Sequence, residues 1–324
     1  MTNVLTIGSR RGKRDARKGT ARRGARSVRP AWEEPPTPVG QAAKGLTLGG
    51  MLAVILVPLW IILVTSFSTP GAVNRAGGLV IWPDGLTTET YRQMLSDSTV
   101  RTSLLVSLGI TVVGTAISMA VSILCAYGLS RPRSLGHRFV LMLLIITMFV
   151  SGGLIPTFLV VTELGGYGQW WALILPSAVS VFNILVLRAF YQETSAELID
   201  AARMDGAGDW RILWSVVLPT SRAVTAVTAL FYAVGYWNSF FNVMLYMPTD
   251  SQKWPLQYVL LTYVNRGNGL PGSVNSGFGS THAQTAPLSL QMAVVVLTLV
   301  PLVIVYPFVQ KHLRAGVLTG AIKG

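Results

Sequence analysis

Residues 194–219 read TSAELIDAARMDGAGDWRILWSVVLP and lie between two long apolar runs of the chain. Gly206 has no Cβ, so it can adopt the left-handed conformation that ends a helix. Asp209 is suited to cap a second helix, and Pro219 should limit that helix. The stretch therefore predicts two short helices joined by a tight turn.

The small residues of this stretch separate it from an ordinary amphipathic surface helix. Ala201 and Ala202 leave a shallow surface that another backbone can approach, while Met204 and Trp210 offer apolar contact. A helix that only lies on a membrane surface does not need an Ala-Ala pair followed at fixed distance by Asp-Gly-Ala. The spacing therefore favours a docking element.

Outward from this stretch, the chain is dominated by apolar segments. Of its 324 residues 51% are hydrophobic and only 12% are charged, well below the share of about 25% in soluble domains. Six apolar runs contain no Asp, Glu, Lys or Arg, and each is predicted to be a membrane-spanning helix. They are 46–67, 104–127, 139–161, 170–187, 223–247 and 289–310. Prolines 58, 156, 176, 301 and 307 are expected to kink them.

The positive charges predict the orientation of these spans. Twenty-one of the 26 Lys and Arg residues fall in four segments, which are therefore expected to be cytoplasmic. These segments are 1–44, 128–138, 188–222 and 311–324. Both termini should then be cytoplasmic, with residues 1–44 as a disordered basic tail and 45–324 as the membrane domain. The scattered charge indicates binding to membrane lipid and not to nucleic acid.

The stretch 194–219 resembles the signature loop of ABC importer permeases, in which Glu-Ala-Ala, Asp-Gly-Ala and a final Pro recur at set spacing. The matching residues here are Asp200, Ala201, Ala202, Asp205, Gly206, Ala207, Trp210, Leu213 and Pro219. Asp200 stands where Glu is usual, and Leu213 where Phe is usual. Residues 152–157, 171–176 and 235–238 also resemble carbohydrate-importer permeases, particularly those for oligo- and polysaccharides of the maltose type.

The resemblance implies a permease subunit of the cell membrane of a prokaryote, with the loop as a cytoplasmic coupling helix between spans four and five. The expected partners are a second permease, two ATPase subunits and an extracytoplasmic solute-binding protein. The sequence contains no Gly-x-x-x-x-Gly-Lys-Ser/Thr, so ATP and Mg are expected on the partner ATPases and no cofactor on this chain. A catalytic residue or a metal site is not expected either, because Cys125 is the only cysteine and the three histidines are isolated.

Span five holds the residues that suit a sugar path, since aromatic faces and amides combine there. These residues are Tyr232, Tyr236, Trp237, Asn238 and Asn242. The two tyrosines are four residues apart, as are the two asparagines, so each pair shares a helix face. Packing between helices with interhelical hydrogen bonds is the competing interpretation of the same residues.

Two rival functions remain at this point. One is an ABC permease for a solute other than a sugar. The other is a secondary transporter driven by an ion gradient, which usually places ionisable residues inside its spans as ion ligands or relays. The six runs hold no Asp, Glu, Lys or Arg, which disfavours the second rival.

The predicted topology can be tested by labelling single cysteines in a Cys125→Ser background. Ala207→Cys should react with a membrane-impermeant thiol reagent only after cells are permeabilised, because the charge distribution places residue 207 inside. A control cysteine in the predicted external segment 68–103 should react in intact cells. Labelling of residue 207 in intact cells would contradict the topology.

Overall fold

The computed structural model describes residues 37–131, 136–193, 196–266 and 287–320. Among these residues, three helices are long and apolar enough to cross a membrane, and the count rises to six if each of three bent helix pairs is one span. The three continuous helices are α1 (Pro38–Ser66), α4 (Ser98–Ser130) and α15 (Pro287–Gly320), in which the apolar stretch is Leu288–Pro307. The described part of the chain is thus a helical, apolar structure, as predicted.

Shorter helices connect and flank these three. They are α2 (Pro70–Arg75), α3 (Glu89–Ser96), α5 (His137–Phe149), α6 (Leu154–Glu163), α7 (Trp171–Ile174), α8 (Val181–Gln192), α9 (Ala196–Met204), α10 (Asp209–Ile212), α11 (Leu218–Thr220), α12 (Arg222–Trp237), α13 (Phe241–Tyr246) and α14 (Leu256–Arg266). Short 3₁₀ turns follow α7 and α13, and a π-helical turn separates α10 from α11.

The third apolar run, 139–161, does not form the single kinked helix predicted from the sequence. It divides into α5 and α6, whose axes differ by 116°. The break lies at residues 150–153, where Gly153 has a φ of +81°. Pro156 follows in the first turn of α6, where a missing N–H costs little. Glycine and not proline therefore marks the break.

The fourth and fifth runs are also interrupted. Run 170–187 bends by 52° between the α7 turn and α8, and Pro176 lies in the 3₁₀ turn before the bend. Run 223–247 forms two helices, because residues 238–240 separate α12 from α13. By contrast, α1 runs continuously through Pro58, and α15 through Pro301 and Pro307.

The first helix begins earlier than the apolar pattern predicts. Because α1 starts at Pro38, residues 38–44 are helical although the sequence assigned them to the disordered tail. Proline is favoured at the first helical position, which explains why the helix begins there. Residues 1–36 of the predicted tail lie outside the described residues. The chain divides into two units, 1–55 and 56–324.

Within the second unit, α4 occupies the centre and packs against α8 and α12. Its buried face carries small residues, which let neighbouring helices approach closely. These residues are Ser103, Ser107, Gly114, Ser118, Ser122 and Ala126. Leu105 and Val112 on another face are more than 60% exposed, as expected for a helix that also meets lipid or another protein.

Gly114 allows a test of this packing. A Cβ at this position would lie 2.9 Å from the buried ring of Tyr236, so Gly114→Val should destabilise the chain by about 1–3 kcal/mol. Gly109→Ala is the matched control on the same helix, because a Cβ there meets nothing within 4 Å. Thermal midpoints of the detergent-solubilised protein would measure both changes. Equal midpoints for Gly114→Val and the native chain would contradict this packing.

Candidate functional site

Two tyrosines of α12 join three helical segments by hydrogen bonds. The Tyr232 hydroxyl lies 2.7 Å from Ser122 Oγ of α4 and accepts a bond from the Ser180 N–H at 3.1 Å. The Tyr236 hydroxyl lies 2.8 Å from Ser118 Oγ and donates to the Ile174 carbonyl at 3.1 Å. Both side chains are about 95% buried. The tyrosines therefore fix α12 to α4 and to the break before α8.

A cleft of about 370 Å³ opens beside these tyrosines. It is lined by Ser177, Ser180, Asn183, Phe231, Tyr232, Gly235, Tyr236, Asn238, Ser239, Phe240, Phe241 and Asn242. Every lining residue is uncharged. A cleft of this size with aromatic faces, amides and hydroxyls suits an uncharged part of a polar ligand.

The cleft exists because the two surrounding runs are interrupted. Ser177 and Ser180 come from the break between α7 and α8, and Asn238 to Phe240 from the break after α12. The rings of Phe231, Phe240 and Phe241 are each more than 40% exposed. They present apolar faces of the kind on which a sugar ring stacks.

The amides of the cleft retain unused hydrogen-bonding groups. Asn238 donates from Nδ2 to the Val234 carbonyl at 3.0 Å, and Asn242 donates to Ser177 Oγ at 3.4 Å. Each of these two side chains uses its nitrogen in that bond, which leaves its carbonyl oxygen available as an acceptor. Sugar hydroxyls are donors that match such acceptors.

Trp237 lies apart from the cleft, although the sequence grouped it with the candidate path. Its side chain is 4% exposed, and its indole N–H donates to the Thr298 carbonyl of α15 at 3.1 Å. The structure thus brings Tyr232, Tyr236, Asn238 and Asn242 together and places Trp237 between α12 and α15. The surroundings of Trp237 are those expected for a side chain that packs between helices.

The loop after α8 forms the predicted pair of short helices. Gly206 has a φ of +77° and ends α9, as expected. The Ala207 N–H bonds to the Ala202 carbonyl and the Gly206 N–H to the Arg203 carbonyl, both at 2.9 Å. This pair of bonds is a Schellman motif, which satisfies the last carbonyls of the helix. The turn is therefore held by its own backbone.

The second helix differs in detail from the prediction. Gly208 is its N-cap, and Asp209 is its first residue. Pro219 does not limit it directly, because it lies in the first turn of α11 after the π-helical residues Leu213–Val217. The main break comes at Ser221, where the axis turns by 87° into α12.

The loop has a buried side and an exposed side. Ile212, Leu213 and Val217 are about 99% buried and pack in one cluster with Leu129 of α4 and Leu187 of α8. Leu198, Met204, Trp210 and Trp214 are each more than half exposed. Asp200 and Asp205 are also exposed. The chain thus anchors the loop on its helices and leaves apolar side chains unpaired on the outer surface.

Polar groups at the end of α4 contact this loop, and the sequence alone did not predict these contacts. Arg131 Nη1 lies 2.9 Å from Asp209 Oδ1, and Tyr127 donates from its hydroxyl to the Asp209 carbonyl at 2.9 Å. Tyr127 and Arg131 are four residues apart, so the sequence suggests that they lie close together. No local pattern indicates that both contact Asp209, which follows more than 75 residues later. Within the described ranges, there is no group of three His, Cys, Asp or Glu residues that could hold a metal.

Known proteins resemble this chain over most of its length. A family model described as binding-protein-dependent transport system inner membrane component matches residues 118–319. The polygalacturonan/rhamnogalacturonan transport system permease protein YtcP of Bacillus subtilis (strain 168) is 41% identical over 85% of this chain and 95% of its own length. The diacetylchitobiose uptake system permease protein NgcG of Streptomyces coelicolor is 26% identical over 83% of this chain and 85% of its own length.

Solved structures share the fold. One chain of a bacterial ABC transporter involved in the import of the acidic polysaccharide alginate has a TM-score of 0.79 and 30% identity, over 86% of this chain and 98% of that chain. A chain from a bacterial alginate ABC transporter in complex with an alginate pentasaccharide-bound periplasmic protein matches with a TM-score of 0.50 and 14% identity, over 83% of this chain and 94% of that chain.

The burial of Trp237 leads to a stability prediction. Trp237→Ala should lower stability by about 3–5 kcal/mol, because it leaves a cavity between α12 and α15 and removes the bond to Thr298. Asn238→Ala, at the adjacent exposed position, should change the thermal midpoint little. The amount of monodisperse protein and its thermal midpoint would be measured. A fully stable Trp237→Ala variant would return Trp237 to the list of candidate ligand-binding residues.

Proposed function

Because this chain belongs to the family of binding-protein-dependent transport system inner membrane components, we propose that it is a permease subunit of an ABC importer for an oligosaccharide. The chain forms, with a second permease, the path of the sugar through the cell membrane. It carries out no chemistry itself, since ATP and Mg bind to separate ATPase subunits.

One observation carries this proposal. The same helices form an uncharged cleft of aromatic rings and amides and hold a loop with exposed apolar side chains. The loop contacts the C-terminal end of α4. The cleft offers ring faces and acceptors to a sugar, and the loop offers Trp210, Trp214 and Met204 to a partner protein. A permease needs these two surfaces to be mechanically connected.

The topology follows from the charge distribution together with the helices. We take α1, α4 and α15, the bent pairs α5–α6 and α7–α8, and α12 together with α13 as six spans with both termini cytoplasmic. The break in the fifth run lies beside the cleft, where non-helical backbone is tolerated because it lines a polar space. The loop 194–219 is then cytoplasmic and accessible to an ATPase.

The partners are inferred from the relatives. Solved structures of the same fold come from an alginate ABC importer, one of them described in complex with a sugar-bound periplasmic protein. By analogy, this chain works with a second permease, two ATPase subunits and an extracytoplasmic binding protein. The names of the relatives refer to polygalacturonan, rhamnogalacturonan and diacetylchitobiose, which makes an oligosaccharide the substrate class.

The mechanism is alternating access driven from the loop. The exposed side of α9 and α10 sits in a groove of the ATPase, and closure of the ATPase pair moves the loop. Because Ile212, Leu213 and Val217 are buried against α4 and α8, this movement is passed to the spans. The permease has two arrangements, and the ATP-bound ATPase pair interacts more strongly with one of them. ATP binding therefore favours that arrangement.

Uptake by the reconstituted complex tests the function. Vesicles containing both permeases and the ATPase, supplied with the binding protein, should accumulate a radiolabelled oligosaccharide only with internal ATP. Trigalacturonic acid and maltotriose would serve as an acidic and a neutral probe. Asn238→Ala and Asn242→Ala should lower uptake of the transported probe without loss of assembly. Uptake driven by an ion gradient without ATP would overturn the proposal in favour of a secondary transporter.

Gly206 provides the sharpest test of the loop. Its positive φ means that Gly206→Asp strains the turn by roughly 1 kcal/mol or more, and the new side chain projects from the surface that meets the ATPase. We expect the variant to insert normally, lose copurifying ATPase and stop uptake. Asp205→Ala should act in the same way but more mildly.

Gly208→Ala is the matched control for this variant. A Cβ meets nothing within 4 Å at either glycine, but Gly208 has a φ of −74°, which other residues readily adopt. The control should therefore retain ATPase attachment. Full attachment and normal stimulated hydrolysis in Gly206→Asp would show that the loop does not couple the two subunits.

A further inference from the structure

Two polar contacts, both made to Asp209, join the end of α4 to the start of α10. Arg131 Nη1 lies 2.9 Å from Asp209 Oδ1. The Tyr127 hydroxyl donates to the Asp209 carbonyl at 2.9 Å, and Arg131 Nη2 donates in turn to that hydroxyl. The guanidinium carbon also lies 4.5 Å from the centre of the Tyr127 ring. Both the side chain and the backbone of Asp209 are thus held by α4.

This arrangement differs from an ordinary surface ion pair. The Arg131 side chain is only 22% exposed, whereas the Asp209 side chain is 69% exposed. A partly desolvated arginine that stacks on an aromatic ring and binds a carboxylate is restricted in its geometry. The nearby ion pair between Arg203 and Asp200 of α9, at 3.8 Å, lies within one helix and joins no separate elements.

The contacts lie where movement must pass from the loop to the spans. Asp209 precedes Trp210, which is 65% exposed on the outer side of the loop. Arg131 is the C-cap of α4. The same helix carries Ser118 and Ser122, which form hydrogen bonds with the two cleft tyrosines. A displacement at Asp209 therefore reaches the cleft along one continuous helix.

We propose that Tyr127 and Arg131 are positioning residues that clamp Asp209, so that α10 and α4 move as one body when the ATPase closes. This inference rests on the proposed function, because it assigns the loop to the ATPase. The apolar cluster around Leu213 keeps the loop on the helices. The clamp fixes the direction in which the loop pulls on α4.

The test uses the complete complex in lipid nanodiscs, with Arg131→Ala, Asp209→Asn and the double variant. Each single variant should keep its ATPase but lower the sugar moved per ATP hydrolysed by about fivefold or more. The double variant should be no worse than the more affected single variant, because both changes break one contact. Losses that multiply in the double variant would overturn the clamp. Loss of ATPase by Asp209→Asn would show that Asp209 contacts the ATPase instead.

Arg222→Ala is the control, because Arg222 is an exposed arginine that begins α12 directly after the loop and lies outside the docking side of α9 and α10. Among the described residues it takes part in no ion pair. The variant should keep the native ratio of sugar moved to ATP hydrolysed. A ratio as low as that of Arg131→Ala would mean that loss of any positive charge near the loop causes the effect, and it would overturn the clamp.

A second readout does not depend on the sugar. Nitroxide labels at Leu124→Cys and Ser215→Cys, in a Cys125→Ser background, report the distance between α4 and the loop. The distance should be the same without nucleotide and after trapping with ATP and vanadate, but it should change on trapping in Arg131→Ala. A change on trapping in the native complex would overturn the clamp. Absence of oligosaccharide uptake by the native complex would count against the proposed function alone.

Discussion

The structure depends on one constraint, which is that backbone groups inside a membrane must find hydrogen-bond partners within the protein. The Ser180 N–H lies in the break between α7 and α8, and the Tyr232 hydroxyl of α12 accepts its hydrogen bond. Tyr236 donates to the Ile174 carbonyl before the break, and Ser118 and Ser122 of α4 complete the bonding of the two hydroxyls. The interruption is therefore stable, and the cleft beside it can persist.

The same constraint explains why the candidate site lies where it does. A continuous helix pairs its backbone groups along its length, whereas an interrupted helix leaves some of them for other partners. Interruptions at 178–180 and 238–240 open the space and place serines and asparagines in it. The Ser180 N–H of the first interruption is paired with Tyr232, whose ring lines the same space. Tyr232 thus combines a structural role with a place in the wall of the cleft.

The sequence predicted the helical class, the turn at Gly206 and four of the twelve residues that line the cleft, because these depend on local pattern. It did not predict the 116° bend in the third run, because Ser151-Gly152-Gly153 is compatible with both a kinked helix and a full break. The position of Trp237 also escaped prediction. Its neighbours on α12 face the cleft, and only the tertiary contact with Thr298 separates it from them. The contact between Arg131 and Asp209 could not be predicted either, because it joins residues that are far apart in the sequence.

The Schellman turn at Gly206 has a further consequence for how such proteins diversify. Its shape is set by backbone hydrogen bonds and one positive φ, so its outward side chains take no part in holding it together. Met204 and Trp210 are exposed beside it and are free to change without refolding the chain. Under the proposed function, surface substitutions alone would change which ATPase the permease accepts and would leave the turn intact.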